Sequence, residues 1–180
     1  MGASLSSGAH IVFPTPQGYR GDGVFDNFWK LIERHKVTFM ITVPTAMSAL
    51  MQRPVNADTS TLRIAFCGSA PLPLELYKKF EAAAGVTICE GYGLSETSPV
   101  ASFNHPDRER KAGSIGQPVE GVAFRLIDDQ WDDVPEDEIG EIAIAGHNVM
   151  KGYLGKPEAT AEVMNDGWFR NGDLAKRDDE

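Results

Sequence analysis

Val37-Thr38-Phe39-Met40-Ile41-Thr42-Val43-Pro44 decides the fold class of this chain. Seven apolar or β-branched residues follow one another, the pattern of a strand covered on both faces in a parallel sheet. Pro44 suits the first turn of a helix through Met47 and Leu50, where a missing N–H costs no hydrogen bond. Two further runs of the same texture, Leu62 to Cys67 and Val86 to Cys89, read as buried strands. Between them Leu74 to Ala84 reads as a helix closed by Gly85, the residue that most readily takes the left-handed cap conformation. Parallel strands need such crossovers, so alternating strands and helices mark a parallel sheet.

Upstream, His10 to Phe13 reads as a short apolar strand, followed by a loop rich in breakers at Pro14, Pro16, Gly18, Gly21 and Gly23. Asp22 or Asp26 is expected to cap the next helix, in which Phe25, Phe28, Trp29 and Ile32 share one face. Beyond Gly113 the texture changes. Short strands at Ala123 to Ile127 and Glu141 to Ala145 are separated by Gly, Pro and acidic turns, and one short helix is expected at Pro157 to Val163. The expected fold is α/β, a partial parallel sheet with crossover helices followed by a small β-rich subdomain. Residues 1–104 form the sheet part, 105–112 a polar connection and 113–180 the β-rich part.

Composition narrows the function. The chain has 180 residues, 42% hydrophobic and 24% charged, as in ordinary globular domains. Such a length buries roughly 70% of the surface the unfolded chain exposes. A net charge of −9 argues against general binding to nucleic acid or anionic membranes. The acidic run from Asp128 to Glu138 reads as a solvated hairpin loop. It lacks the alternating oxygen ligands and central glycine of a calcium loop. Cys67 and Cys89 lie in apolar strands without metal-ligand spacing and are expected to be reduced core thiols, which suits a cytoplasmic location. No signal peptide pattern opens the chain, and no stretch approaches the ~20 apolar residues of a membrane span.

The chemistry concentrates in Glu90-Gly91-Tyr92-Gly93-Leu94-Ser95-Glu96-Thr97, at the carboxyl end of a strand, where open parallel sheets bind ligands. The two glycines permit close backbone approach, Tyr92 offers a flat face, Ser95 a hydroxyl and Glu96 a hard oxygen for Mg²⁺. Those are parts of a nucleotide site. They are equally parts of a glycine-rich turn with a core Tyr and a surface Glu, and local spacing leaves both open.

The segment resembles the tyrosine, glycine, any residue, threonine, glutamate signature of the adenylate-forming, AMP-binding superfamily, which includes acyl-CoA synthetases, coumarate ligases, luciferases and peptide-synthetase adenylation domains. Four more matches follow the same family order. Gly68-Ser69-Ala70-Pro71-Leu72 is similar to the turn that lies along the adenylate, with Ser69 in place of the commoner Gly. Gly113-Ser114-Ile115-Gly116-Gln117-Pro118 resembles the connection into the β-rich part. Gly140-Glu141-Ile142 with Gly146, Gly152 and Tyr153 resembles the next motif. Trp168-Phe169-Arg170-Asn171-Gly172-Asp173-Leu174 is similar to the segment whose aspartate binds ribose, with Asn171 where Thr is usual.

The resemblance implies ATP/AMP, Mg²⁺ and CoA as ligands and a carboxylic acid, fatty or aromatic, as substrate. It implies that Tyr92 stacks on adenine, that Ser95 contacts the α-phosphate and that Glu96 binds Mg²⁺, Ser95 and Glu96 being the catalytic pair. Asp173 would hold the ribose, while Ser69, Ala70, Pro71, Glu90, Gly91 and Gly93 would line the adenylate. Ser95 replaces the commoner Thr and keeps the hydroxyl. Val43 to Met47 resembles the segment near the acyl pocket, although Met47, Leu50 and Met51 have the spacing of core residues. The four histidines have no metal-ligand spacing. The family's phosphate loop is expected before residue 1, and its hinge and adenylation lysine after residue 180, which implies an inactive internal piece of the large domain that self-associates. Two alternatives stand beside the CoA ligase reading, a non-enzymatic adenylate- or partner-binding module and an adenylation enzyme serving a carrier-protein thiol.

Overall fold

The computed structural model describes residues 2–178, opening on a short helix α1 (Gly2–Ser6). It divides into two compact units. Of the described residues, 2–90 and 105–114 form the first, and 91–104 and 115–178 the second. The expected connection at 105–112 thus groups with the first unit, and residues 91–104, which the sequence boundary keeps with the sheet part, group with the second. The physical reason is that Ala101 packs with Ile142 and Ile144 and joins their apolar cluster.

In the first unit, parallel strands β1 (Phe39–Thr42), β2 (Ile64–Cys67) and β3 (Thr87–Tyr92) pair in chain order, Phe39 opposite Ile64 and Ile64 opposite Thr87. The crossovers contain α3 (Pro44–Leu50) and α4 (Leu74–Ala84), and α2 (Val24–His35) precedes β1. Gly85 ends α4 at φ 64°, donating its N–H to Glu81, as its place after the periodic run predicts. The core joins Trp29, Met47, Leu50, Phe80 and Ile88. Trp29 stands edge-on to Phe28 at 5.3 Å and tilted on Phe80 at 5.8 Å. Met47 and Leu50 are fully buried core residues. Cys67 and Cys89 are free and buried.

Three local expectations are corrected. Residues 10–13 form no strand, and Phe13 is largely exposed. A four-residue apolar run becomes a strand only where a neighbour supplies hydrogen bonds. Neither Asp22 nor Asp26 caps α2. Gly23 holds the N-cap at φ 73° and receives the Asn27 amide on its carbonyl at 3.0 Å, while Asp26 pairs with Arg53 at 2.5 Å. Finally, β1 is not covered on both faces. Met40 and Thr42 are buried, whereas Phe39 and Ile41 are 44% and 60% exposed.

The second unit begins within β3. Gly91 and Tyr92 pair antiparallel with β4 (Ser102–Phe103), which pairs with β5 (Gln117–Pro118). A separate antiparallel sheet has the order β6 (Val122–Ile127), β7 (Ile139–Gly146), β9 (Trp168–Lys176), β8 (Met164–Asn165), with α5 (Pro157–Val163) ahead of β8. The acidic run connects β6 to β7 as a largely exposed hairpin. Asp128 folds it by accepting the N–H groups of Gln130 and Asp132 at 2.8 and 3.0 Å. The fold is therefore a partly parallel α/β sheet followed by a curled antiparallel sheet. No helix among the described residues is long and apolar enough to cross a membrane.

Candidate functional site

Within the first unit, Ser69, Ala70 and Pro71 form an exposed turn after β2. Ser69 has φ 68°, a left-handed conformation that favours glycine. The next residue, Leu72, is buried and anchors the turn. Glu90 is buried too. It accepts the Gly113 N–H at 2.7 Å and the Leu72 N–H. Burial raises its pKa above the usual glutamate range, although both N–H donors work against that shift. Its carboxylate thus ties two loop backbones together. Beside it, burial and Glu90 push the Cys67 thiol up to about 12, so the thiol stays protonated and inert.

Arg110, in the polar connection, donates to the Tyr77 hydroxyl at 2.5 Å and to Glu81 Oε1 and the Ile88 carbonyl at 2.7 Å. Burial and Glu81 push Tyr77 up to about 12, so the phenol stays neutral and receives the Arg110 bond as a hydroxyl. This cluster fixes residues 105–114 on α4 and β3.

Within the second unit, Ser95, Glu96 and Thr97 form one 3₁₀ turn. Buried Thr97 shapes it. Its hydroxyl donates to the Leu94 and Pro99 carbonyls at 3.0 and 3.2 Å and accepts the Leu94 N–H at 3.1 Å. Ser95 is left exposed and Glu96 half-buried. Gly93 has no room for a side chain, since a Cβ there would lie 1.9 Å from the Pro99 carbonyl oxygen.

Tyr92 donates its hydroxyl to Asp173 Oδ2 at 2.6 Å and sets its ring edgewise on Phe124 at 6.3 Å. Burial, then the Asp173 carboxylate, raises the Tyr92 pKa and keeps it a hydrogen-bond donor. Tyr153 donates to Glu96 Oε1 at 3.0 Å, and the Met150 N–H reaches the Glu96 carbonyl at 2.7 Å. The Glu96 carboxylate also raises the Tyr153 pKa. Thr160 of α5 holds the Tyr153 loop by accepting the Tyr153 N–H at 2.9 Å. A cleft of about 390 Å³ opens here, lined by Leu94, Glu96, Glu141, Tyr153, Phe169 and Asn171.

Asp173 owes its place to a bulge in β9. Glu141 faces Leu174 and Ala143 faces Arg170, so Ile142 alone is opposed by Asn171, Gly172 and Asp173. Bulges of this kind re-aim side chains. Glu141 accepts the Gly172 N–H at 2.8 Å, and Asn171 Oδ1 accepts the Asp173 N–H at 2.9 Å. The structure therefore brings together Tyr92, Glu96 and Asp173 in one unit, and it holds Ser69, Ala70, Pro71 and Glu90 in the other.

Sequence reading misses the partners that hold these groups. Tyr153 and Glu96 stand 57 positions apart, Arg170 and Glu141 29. Nothing in local periodicity signals either pair. Among the described residues no cluster of three or more His, Cys, Asp or Glu is placed to hold a metal ion. Glu96 offers one carboxylate with an oxygen beyond the Tyr153 bond, which fits Mg²⁺, an ion commonly held by one or two carboxylates plus substrate phosphates.

Comparison with known proteins bears on the family and the fold. Residues 1–154 match the family model of the AMP-binding enzyme. A marinolic acid–CoA ligase of Pseudoalteromonas sp. (strain SANK 73390) is 35% identical over 97% of this chain and 28% of its own length. A feruloyl-CoA synthase of Amycolatopsis sp. is 41% identical over 82% of this chain and 30% of its own. The crystal structure of the anthranilate CoA ligase AuaEII in complex with anthranoyl-AMP superposes with a TM-score of 0.81 at 28% identity, covering 95% of this chain and 32% of that one. The chain thus spans about a third of the length of the relatives it matches. With a family model covering most of its residues and a fold shared with adenylate-forming enzymes, the chain belongs to the AMP-binding enzyme family.

Proposed function

We propose that the chain carries the adenine, ribose and Mg²⁺ contacts of an acid–thiol ligase that activates a carboxylic acid with ATP and passes the acyl group to CoA. The observation that carries this reading is the Tyr92–Asp173 hydrogen bond in the unit that also holds Glu96 and Tyr153. An aromatic face, a carboxylate able to accept ribose hydroxyls and a second carboxylate for a cation are the components a nucleotide needs. The names of the relatives support a CoA acceptor and organic acid substrates.

In this reading a substrate carboxylate oxygen attacks the α-phosphorus of ATP, the bond to the bridging oxygen breaks and pyrophosphate leaves. The CoA sulfur then attacks the acyl carbon of the mixed anhydride, losing its proton, and AMP departs. Tyr92 offers its ring to adenine, Asp173 accepts the ribose hydroxyls and Ser95 donates to the α-phosphate. Glu96 would hold Mg²⁺, which would offset phosphate charge, and Tyr153 orients the Glu96 carboxylate. The backbone of Ser69, Ala70 and Pro71 lines the adenylate. The 180 residues alone are expected to give no measurable acyl-CoA, because none of their lysines is assigned to adenylation.

The test places residues 1–180 in the matching segment of a full-length relative such as the feruloyl-CoA synthase and measures carboxylate-dependent ATP–pyrophosphate exchange. Glu96→Gln should lower exchange by about 10²- to 10³-fold, the usual cost of losing one electrostatic group, with the melting temperature little changed. Asp173→Ala should chiefly raise the ATP requirement. Retention of full exchange by both variants at limiting ATP and Mg²⁺ would overturn the reading.

A further inference from the structure

Glu141 and Arg170 form an enclosed ion pair in the second unit, with 14% and 18% of their side chains exposed. Arg170 Nε donates to Glu141 Oε2 at 2.9 Å, and its Nη2 donates to the same oxygen. The guanidinium also lies over the Trp131 ring at 5.1 Å and within 4.0 Å of Asp129, so the β6–β7 hairpin braces it. That leaves Glu141 Oε1 for the Gly172 N–H at 2.8 Å.

We propose that Glu141 and Arg170 are a positioning pair that sets the Asn171–Asp173 bulge, and through it the direction of the Asp173 carboxylate; this rests on the reading of Asp173 as the ribose acceptor. The bulge has no ladder partner of its own, because three residues oppose Ile142. Gly172 has φ 84°, a conformation that nothing in a regular strand would select. The Glu141 oxygen supplies the missing acceptor there, and the Asn171 side chain closes the turn onto the Asp173 N–H. On either side the β7–β9 register is regular, Ile144 opposite Phe169 and Gly140 opposite Ala175. The strand therefore keeps its pairing without the ion pair, and the effect of losing the pair is confined to the three residues that aim Asp173 at Tyr92.

The test uses the 180-residue chain with AMP and 2′,3′-dideoxy-AMP as probes, titrated by calorimetry. Wild type is expected to prefer AMP, and Asp173→Ala to lose that preference. Glu141→Gln should reduce the preference roughly tenfold, in line with a lost charged hydrogen bond, while binding of the dideoxy nucleotide stays within about twofold. A general loosening of the fold would weaken both probes together. Should Glu141→Gln not fold, Arg170→Lys carries the same readouts, since it keeps the charge and loses the second N–H on Glu141. If Asp173→Ala loses the preference and Glu141→Gln keeps it, the positioning role is wrong. If Asp173→Ala keeps it, or wild type binds neither nucleotide, the ribose reading fails and the pair is judged by NMR. Glu141→Gln must then move the ¹³Cζ resonance of Tyr92 as Asp173→Asn does and speed exchange of the Gly172 amide. An unmoved Tyr92 resonance would overturn the inference.

Discussion

Two glutamates in this chain respond to burial and partners in opposite senses. Glu141 sits against Arg170, whose hydrogen bond holds its pKa below the usual glutamate range, with the Gly172 N–H adding to the effect. Glu90 is raised by burial, which outweighs its two N–H donors. A group depressed in the folded state contributes stability above its unfolded pKa and loses it as pH falls through the folded value. A raised group contributes below its unfolded pKa and loses that contribution as pH rises through the folded value. Urea melts of Glu141→Gln and Glu90→Gln between pH 3 and 8 should therefore diverge from wild type with opposite slopes, for carboxylates ordinarily titrating near ~4.3. The Glu141→Gln deficit should be about 1–3 kcal/mol at neutral pH and shrink in acid. The Glu90→Gln difference should move in the variant's favour as pH rises. Parallel curves would mean that neither environment acts as described.

At the scale of elements, the tightest places are where the backbone leaves no volume for a side chain. A Cβ at Gly93 would meet the Pro99 carbonyl oxygen at 1.9 Å, and one at Gly116, which also has φ 77°, would meet the Phe103 backbone at 2.2 Å. Gly85 has φ 64° but open space around it. Gly85→Ala should therefore cost about 1 kcal/mol, the price of a left-handed cap alone, while Gly93→Ala and Gly116→Ala should each cost more than about 2 kcal/mol. Thermal melts rank the three, and equal losses would remove the distinction. The helices α3, α4 and α5 are legible in the sequence because their signals are local: Pro44 and Pro157 at the first turn, Gly85 past the end. The α2 cap is not, because Gly23 takes it and Asp26 is drawn off by Arg53, 27 residues away. Tyr92, Glu96 and Asp173 are legible as motif residues. The bulge that aims Asp173 is not, because it depends on register against β7, which the spacing within β9 does not contain.

At the scale of the whole molecule, β1 presents an apolar face to solvent. Its neighbour in the first unit is β2, and Phe39 and Ile41 are 44% and 60% exposed on one of its faces. The continuous apolar run predicts cover on both faces, and composition cannot distinguish a strand covered within its own unit from one that presents half its residues outward. The Tyr19 hydroxyl takes the Ile41 carbonyl at 2.8 Å, which occupies one backbone acceptor and leaves the apolar side chains exposed. Exposed apolar residues on a strand of this kind invite pairing with a second copy. Sedimentation velocity over a series of concentrations should show reversible association of the 180-residue chain. Ile41→Lys should suppress it by placing a charge on the exposed face, and the cost to folding should stay within about 0.5 kcal/mol because that side chain is already in solvent. Lys at Met40, a buried neighbour, should instead unfold the first unit. A concentration-independent monomer for wild type, or association unchanged in Ile41→Lys, would show that this face of β1 is not what drives the chain together.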